Sequence, residues 1–129
     1  MLNIKRGNMK KKILISYKNK KISIEAIRCN IFKKFSGLMF SLREKSQILL
    51  FEFKISQPIA IHSFFVFYSF LAIWLDSENN ITDMKIVKPF TSCAFAKKSS
   101  NYLLEIPINK KNEKILKFFG VSVAEKQNI

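Results

Sequence analysis

Few residues in this chain have the types and spacing that chemistry requires. Its one histidine, His62, directly precedes Ser63, but neighbouring strand residues point to opposite faces of a sheet, so the pair makes a poor base and nucleophile. Lys88 stands beside Pro89 at a predicted strand end, where its ammonium would meet an anion at a pocket mouth. Glu105 would pair with a lysine across the sheet or serve as a functional carboxylate. His62, Lys88 and Glu105 are therefore the candidate binding residues. A hydrogen-bonded core histidine, a solvated lysine and a structural glutamate are the alternatives.

The inventory for metals and catalysis is short. A zinc site needs about four ligands at characteristic spacings, and the chain has one His and two Cys, Cys29 and Cys93, without a C-x-x-C or H-x-x-x-H pattern. The two cysteines could pair, but the absence of a leader segment favours buried thiols. The sequence also lacks a phosphate-binding glycine loop and a nucleophile elbow. We expect no metal and no cofactor, and a binding domain rather than an enzyme.

The formal charge of +14 is concentrated near the start of the chain. Residues 1–34 contain eleven Lys or Arg against Glu25 alone, whereas residues 35–129 contain twelve against eight acids. Such a basic segment binds phosphate backbones or anionic lipid heads by counterion release. Lysine outnumbers arginine twenty to three, although arginine is favoured where phosphates or base edges are bound in a bidentate way. Solvated surface lysines are the simpler interpretation, and nucleic-acid or anionic-surface binding is the alternative.

Residues 58–75 are the most apolar segment. Residues 59–75 carry no formal charge, and at about 1.5 Å per residue they would rise roughly 26 Å as a helix, short of a span of about 30 Å. They are rich in Phe, Ile and other residues that favour pleated sheets. Strands buried on both faces also lose polar alternation. We expect two interior strands here, and one membrane span near residues 59–75 is the alternative.

Alternating apolar residues predict most of the other strands. Residues 12–17 and 22–27 form a predicted hairpin around residues 18–21. The segment 48–55 alternates in the same way, as does 81–87, where Met84 and Ile86 are expected to face inward. The polar segment 91–101 is predicted to be a loop, and the strand predicted at 102–108 ends near Pro107.

Two short helices are predicted between or after these strands. Asn30 and Gly37 would cap the first, and Asn112 and Gly120 the second. The fold class is thus mainly β: a small antiparallel β-sandwich or barrel-like domain with two short helices. Residues 1–11 form a basic arm and residues 12–129 a single domain.

Seven short pieces of the chain also follow one another in the order typical of a known family. The pieces are G-L-M-F at 37–40, I-L-L-F-E-F at 48–53, I-H-S-F-F-V-F at 61–67, I-W-L-D at 73–76, K-P-F at 88–90, Y-L-L-E-I-P at 102–107 and G-V-S-V at 120–123. Together they cover about residues 22 to 126 and resemble the family catalogued as domain of unknown function 192, and the form H-x-F-F-V-F is similar to its archaeal branch.

This resemblance implies a compact, mainly antiparallel β domain in which residues 58–75 supply interior strands. The family has no established activity, so the resemblance implies no catalytic residue. This chain departs from the family pattern where relatives have Pro and Asp, since it has Ser69 and Leu71 there. The bacterial Lys-Asn pair is replaced by Phe64 and Phe65, and the closing Gly-Asp by residues 124–125. Any function that depends on those polar groups is in doubt for this chain.

Three functions follow in order of preference. The first is a small soluble β domain that binds a ligand or a protein partner without catalysis, in the cytoplasm because no leader is recognised. The second is electrostatic binding of nucleic acid or an anionic surface through the lysine-rich start of the chain, with membrane association through residues 59–75 as a further alternative. The third is an unrecognised enzyme with a pocket near His62 and Lys88.

Overall fold

The computed structural model describes residues 10–29, 47–57, 60–61, 68–89, 94–95 and 98–123. Within those ranges the chain forms eight strands, one 3₁₀ turn and one short helix. The 3₁₀ turn spans Lys110–Asn112 and the helix, α1, spans Glu113–Phe118. The strands are β1 (Lys10–Tyr17), β2 (Lys20–Cys29), β3 (Leu49–Gln57), β4 (Ala60–Ile61), β5 (Phe70–Leu75), β6 (Ile81–Val87), β7 (Ala94–Phe95) and β8 (Ser100–Pro107).

Six of these strands form one curled sheet in the order β1-β2-β3-β8-β5-β6, and β4 pairs with β7 apart from it. All neighbours in the large sheet are antiparallel except β2 and β3, which run parallel over three register positions. The edge strands β1 and β6 come into contact, so the sheet curls into a half-barrel. The predicted mainly β, barrel-like class is confirmed.

A two-residue turn closes the first hairpin. Tyr17 is opposite Lys20 in the register, and the intervening Lys18 and Asn19 have positive φ angles of 51° and 64°. Both angles are those of a type I′ turn, whose twist matches that of the flanking strands and for which asparagine is well suited. The predicted four-residue connection at 18–21 is therefore two residues shorter in the structure.

Side chains on the two faces of the sheet form separate apolar clusters. The concave face is shared by all six strands and α1, because residues from both edge strands contact the same cluster. Its fully buried members include Ile15, Ile24, Leu50, Ile73, Leu104 and Leu116. The other face carries Phe51, Phe70, Trp74 and Leu103, among others. Since Leu49, Leu50 and Phe51 are all buried, the central strand β3 is covered on both faces there.

Two parts of the apolar segment at 58–75 form strands in the structure. Ala60–Ile61 forms β4, and Phe70–Leu75 forms β5, in which all six residues are buried. Of the residues between the two, 62–67 lie outside the described ranges, and Tyr68 and Ser69 are described but are not part of a strand. No helix among the described residues is both long enough and apolar enough to cross a bilayer.

The structure corrects two strand predictions. Ile86 was expected to face inward, but 53% of its surface is exposed, because β6 is an edge strand with a neighbour on one side only. Part of the predicted loop at 91–101 is strand, since β7 lies within it and β8 begins at Ser100. Residues 1–9 of the predicted arm lie outside the described ranges, and β1 begins at Lys10.

The predicted C-terminal helix is present, but its capping differs from the prediction. Asn112 makes no side-chain capping bond to α1; instead Asn109 Oδ1 accepts the backbone N–H of Asn112 at 3.0 Å, one turn earlier. Gly120 ends the helix as predicted, with φ of 81° and its N–H donated to the Lys117 carbonyl. The first predicted helix, at 30–37, lies outside the described residues.

Candidate binding surfaces

The three predicted binding residues do not form one described site. His62 lies outside the described residues. Lys88 directly follows β6 and is exposed, whereas Glu105 lies inside β8 with 3% of its surface exposed. Glu105 shares a register row with Ala72 of β5 and, one strand further, Lys85 of β6. Lys88 is three residues beyond that row, so the register separates it from Glu105.

The register shows which lysine lies on the same face of the sheet as Glu105. Lys85 stands two strands away on the same face, and the small Ala72 lies between them. Both Lys85 and Glu105 have interaction partners in the structure, and no buried side-chain nitrogen or oxygen among the described residues lacks a hydrogen bond. Glu105 therefore fits the alternative stated above, a satisfied structural carboxylate.

A charged cluster occupies one end of the concave face. Glu52 of β3 accepts from Lys11 Nζ at 2.8 Å and from Arg28 Nε at 3.0 Å. Lys11 Nζ also lies 5.6 Å from the centroid of the Tyr102 ring, within reach of a cation–π interaction. These contacts join β1, β2, β3 and β8, so the cluster ties both halves of the sheet together.

The pKa of the Glu52 carboxyl lies below its ordinary value of 4.5. Partial burial alone would raise this pKa, but the hydrogen bonds and charges of Lys11 and Arg28 together outweigh burial. Glu52 is thus ionised at neutral pH and held by two cations. An acid or base catalyst needs a pKa near the working pH, so the cluster is suited to structure rather than to proton transfer.

A second charged region forms where the first hairpin meets α1. The Tyr17 ring lies 5.4 Å from the Phe119 ring and 6.3 Å from the Phe118 ring, measured between centroids. Lys18 Nζ lies 5.4 Å from the centroid of the Tyr17 ring. Since Lys117 directly precedes Phe118, the turn lysine and the helix lysine belong to the same end of the molecule.

We call this region the basic end. It comprises five exposed lysines from two segments about a hundred residues apart in the sequence: Lys18, Lys20, Lys21, Lys114 and Lys117. Within residues 17–21 and 113–120, the one acidic residue is Glu113, next to Lys114. Sequence reasoning found the hairpin lysines but missed the helix lysines. Their spacing of three residues on the polar side of α1, opposite Leu116, was the signal that could have identified them.

A half-open cleft of about 140 Å³ lies between β2, the start of β3 and the 3₁₀ turn. Its charged lining residues are Lys10, Glu25 and Lys111, and Gln47 and Asn112 also line it. Ala26, Ile27 and Ile48 complete the lining. Nothing in the linear sequence brings Lys10 and Lys111 together, so this site could not be predicted.

The described residues offer little for metals or thiol chemistry. Among them, no group of three or more His, Cys, Asp or Glu side chains is arranged to hold a metal ion. Cys29 is buried, and its Sγ lies 3.7 Å from the Ile27 carbonyl oxygen. Cys93 lies outside the described residues.

Comparison with known proteins identifies the fold but no family. No family model matches the chain, and no curated protein matches it significantly; membership of the family of domain of unknown function 192 stays a prediction. The structure is similar to the crystal structure of a protein of Sinorhizobium meliloti 1021 named a "putative transcription regulator". The TM-score is 0.62 at 16% sequence identity, and the match covers 88% of each chain. At that identity the similarity concerns the fold alone.

Proposed function

We propose that the chain is a small binding domain without catalysis of its own, and that its basic end binds the phosphate backbone of nucleic acid. The observation that carries this proposal is the contact of Tyr17 with Phe118 and Phe119, which places the hairpin turn beside α1. The turn region carries Lys18, Lys20 and Lys21 and the helix carries Lys114 and Lys117, all of them exposed. The sequence alone located the positive charge near the start of the chain. The structure adds two lysines of helix α1, which lies about a hundred residues later in the sequence.

Clustered lysines suit a polyanion better than a single small anion. Charges within about 10 Å of one another act together at moderate ionic strength, and each phosphate that they neutralise releases a counterion. Lysine acts as a point charge and does not form the rigid bidentate fork of arginine. Binding should therefore be strongly salt-dependent and nearly independent of sequence.

Membership of the family of domain of unknown function 192 and a cytoplasmic location, where RNA is an abundant polyanion, belong to the same proposal. The name of the Sinorhizobium meliloti protein is compatible with it, but the support comes from the lysines. A protein with an acidic surface would meet the same lysines, and so would an anionic membrane. These partners are alternative outcomes of the test.

The test measures the affinity for a labelled single-stranded RNA at several salt concentrations. For a single strand the slope of log K against log salt is about −0.7 per phosphate contact, so Lys18→Gln with Lys117→Gln should make the slope less negative by roughly 1.4. A matched control, Lys12→Gln with Lys98→Gln, removes the same charge from exposed positions outside the basic end. Lys12 is five strand residues from Tyr17, a separation of about 17 Å.

The outcomes separate the alternatives. A less negative slope in the Lys18→Gln, Lys117→Gln variant, with the control variant unchanged, supports the proposal. Equal losses in both variants would mean that net charge, and not the basic end, determines binding. A larger loss in the control would place the contact outside the basic end, near Lys12 or Lys98. Absent RNA binding with retention on anionic vesicles would replace nucleic acid by a membrane surface. Each of these last three results overturns the proposal.

A further inference from the structure

The cleft between β2 and the 3₁₀ turn exists because β3 pairs with only part of β2. The parallel register runs from Ile27 to Cys29, and the Ile27 N–H donates to the Ile48 carbonyl at 2.8 Å. Before that point β2 continues back to Lys20 without β3 beside it. Lys111 and Asn112 of the 3₁₀ turn line the space that is left.

The backbone of Glu25 also faces this space. Residues of a strand direct their N–H and C=O groups alternately to its two sides, so Glu25 shares the side of Ile27. Ile27 donates towards β3, and Tyr17 and Lys20 set the register in which alternate residues of β2 bond to β1. The cleft therefore presents main-chain groups as well as side chains.

Opposite charges stand around the cleft without neutralising one another. Lys10, Glu25 and Lys111 form no ion pair within the part of the chain that the structure describes. A simple anion would be attracted by the two lysines but repelled by Glu25. A simple cation would be attracted by Glu25 but repelled by the two lysines. A molecule that carries both charges satisfies all three residues.

One wall of the cleft is firmly held. Asn112 is 5% exposed, its Nδ2 donates to the Pro107 carbonyl at 3.0 Å, and its backbone N–H donates to Asn109 Oδ1 at 3.0 Å. These bonds attach the 3₁₀ turn to the end of β8 and hold the backbone of Lys111 in place, while its side chain is exposed. The wall is thus already in place before a ligand binds, which reduces the ordering cost of binding.

We infer that this cleft binds a small zwitterion of the α-amino acid class. Its carboxylate faces Lys10 and Lys111, and its ammonium faces Glu25. The cleft volume of about 140 Å³ is well above the roughly 10–15 Å³ that one water needs, so the cleft has room for a small molecule whose short side chain lies against the partly exposed Ile27 and Ile48. This site is separate from the basic end and goes beyond nucleic-acid binding.

The test is a titration of the isotope-labelled protein with L-alanine, followed by amide NMR shifts. Alanine should shift the amides of Ala26, Ile27 and Ile48. Propionate lacks the ammonium and alaninamide lacks the carboxylate, so each should bind about tenfold more weakly, the effect of losing one charge-assisted contact. In Glu25→Gln the affinities for alanine and propionate should become equal. In Lys111→Gln the affinity for alanine should fall by a similar factor of about ten.

Exposed residues outside the cleft provide the matched control. Glu78→Gln and Lys98→Gln make the same changes in charge and should leave alanine binding unaltered. Propionate binding as tight as that of alanine would overturn the zwitterion assignment in favour of a carboxylate site. Absence of any shift up to about 20 mM, well above a millimolar Kd, would overturn the site itself. Neither result depends on RNA binding.

Discussion

The ring of Tyr17, the last residue of β1, lies 5.4 Å from the ring of Phe119 at the end of α1. The two planes are inclined by 52°, a tilted arrangement that aromatic pairs favour over direct face-to-face stacking. Phe118 and Phe119 are themselves edge-to-face at 5.0 Å. This aromatic group fixes where the hairpin turn stands relative to the helix, and so fixes the spacing of the lysines on both.

Tyr17→Ala should therefore affect stability and RNA binding together. Removing a large, partly buried ring should lower the free energy of unfolding by about 2 kcal/mol, measured by urea denaturation. It should also reduce the salt dependence of RNA binding, because the turn is no longer held against α1. Tyr17→Phe keeps the ring contacts and should behave like the native chain. Full RNA affinity in a folded Tyr17→Ala protein would contradict the role given to this contact.

The Glu52 cluster predicts a pH-dependent contribution to stability. Because the folded pKa of Glu52 is lowered from 4.5, its stabilisation is fully present above the unfolded value and is lost as the pH falls through the folded one. Glu52→Gln should therefore cost about 1 kcal/mol near neutral pH, a value limited by the partial exposure of Lys11 and Arg28. The difference from the native protein should shrink below pH 4.5.

Denaturation of both proteins across this pH range, at low and high salt, measures the effect. Glu78→Gln is the control, since Glu78 is exposed and its backbone N–H, not its carboxylate, bonds to Asp76. A Glu52→Gln deficit that stays constant from neutral to acidic pH would show that the carboxylate charge contributes nothing.

Gly120 should be hard to replace for a reason confined to its backbone. Its φ of 81° is the left-handed conformation in which it ends α1, and a Cβ built there meets no atom within 4 Å. Gly120→Ala should thus lower the free energy of unfolding by about 1 kcal/mol through backbone strain without a clash. Gly120→Asn should cost less, because asparagine tolerates this conformation better. Thermal denaturation of the native protein and the two variants measures these differences. Equal stability of Gly120→Ala and the native protein would contradict the role given to the backbone of Gly120.

Alternation along the chain was sufficient to predict most described strands. In β3 and β8, apolar residues two apart share a face, and Leu104 and Ile106 are buried as their pattern indicates. The pattern misled at Ile86 because alternation shows which residues share a face but not how well an edge strand is covered. Asn109 was missed as a cap because a 3₁₀ turn precedes α1, which moves the capping position one turn back.

The candidate sites depended on relationships that no local pattern contains. Lys11 and Glu52 are 41 residues apart, and they meet only because β2 pairs in parallel with β3, which brings β1 beside that part of the sheet. Lys10 and Lys111 meet across the cleft for the same reason. Single residues such as Lys88 and Glu105 looked promising because of their types, but the register placed them apart.

The short parallel ladder between β2 and β3 has a consequence for motion. The β1–β2 hairpin is bonded to the rest of the sheet through three register positions, whereas β5 and β8 are paired along six. Parallel pairing is also slightly weaker per residue. Amide hydrogens of the hairpin should consequently exchange with solvent through openings that leave β5 and β8 protected. The hairpin, which carries three lysines of the basic end, would then respond to a bound partner as one cooperative unit.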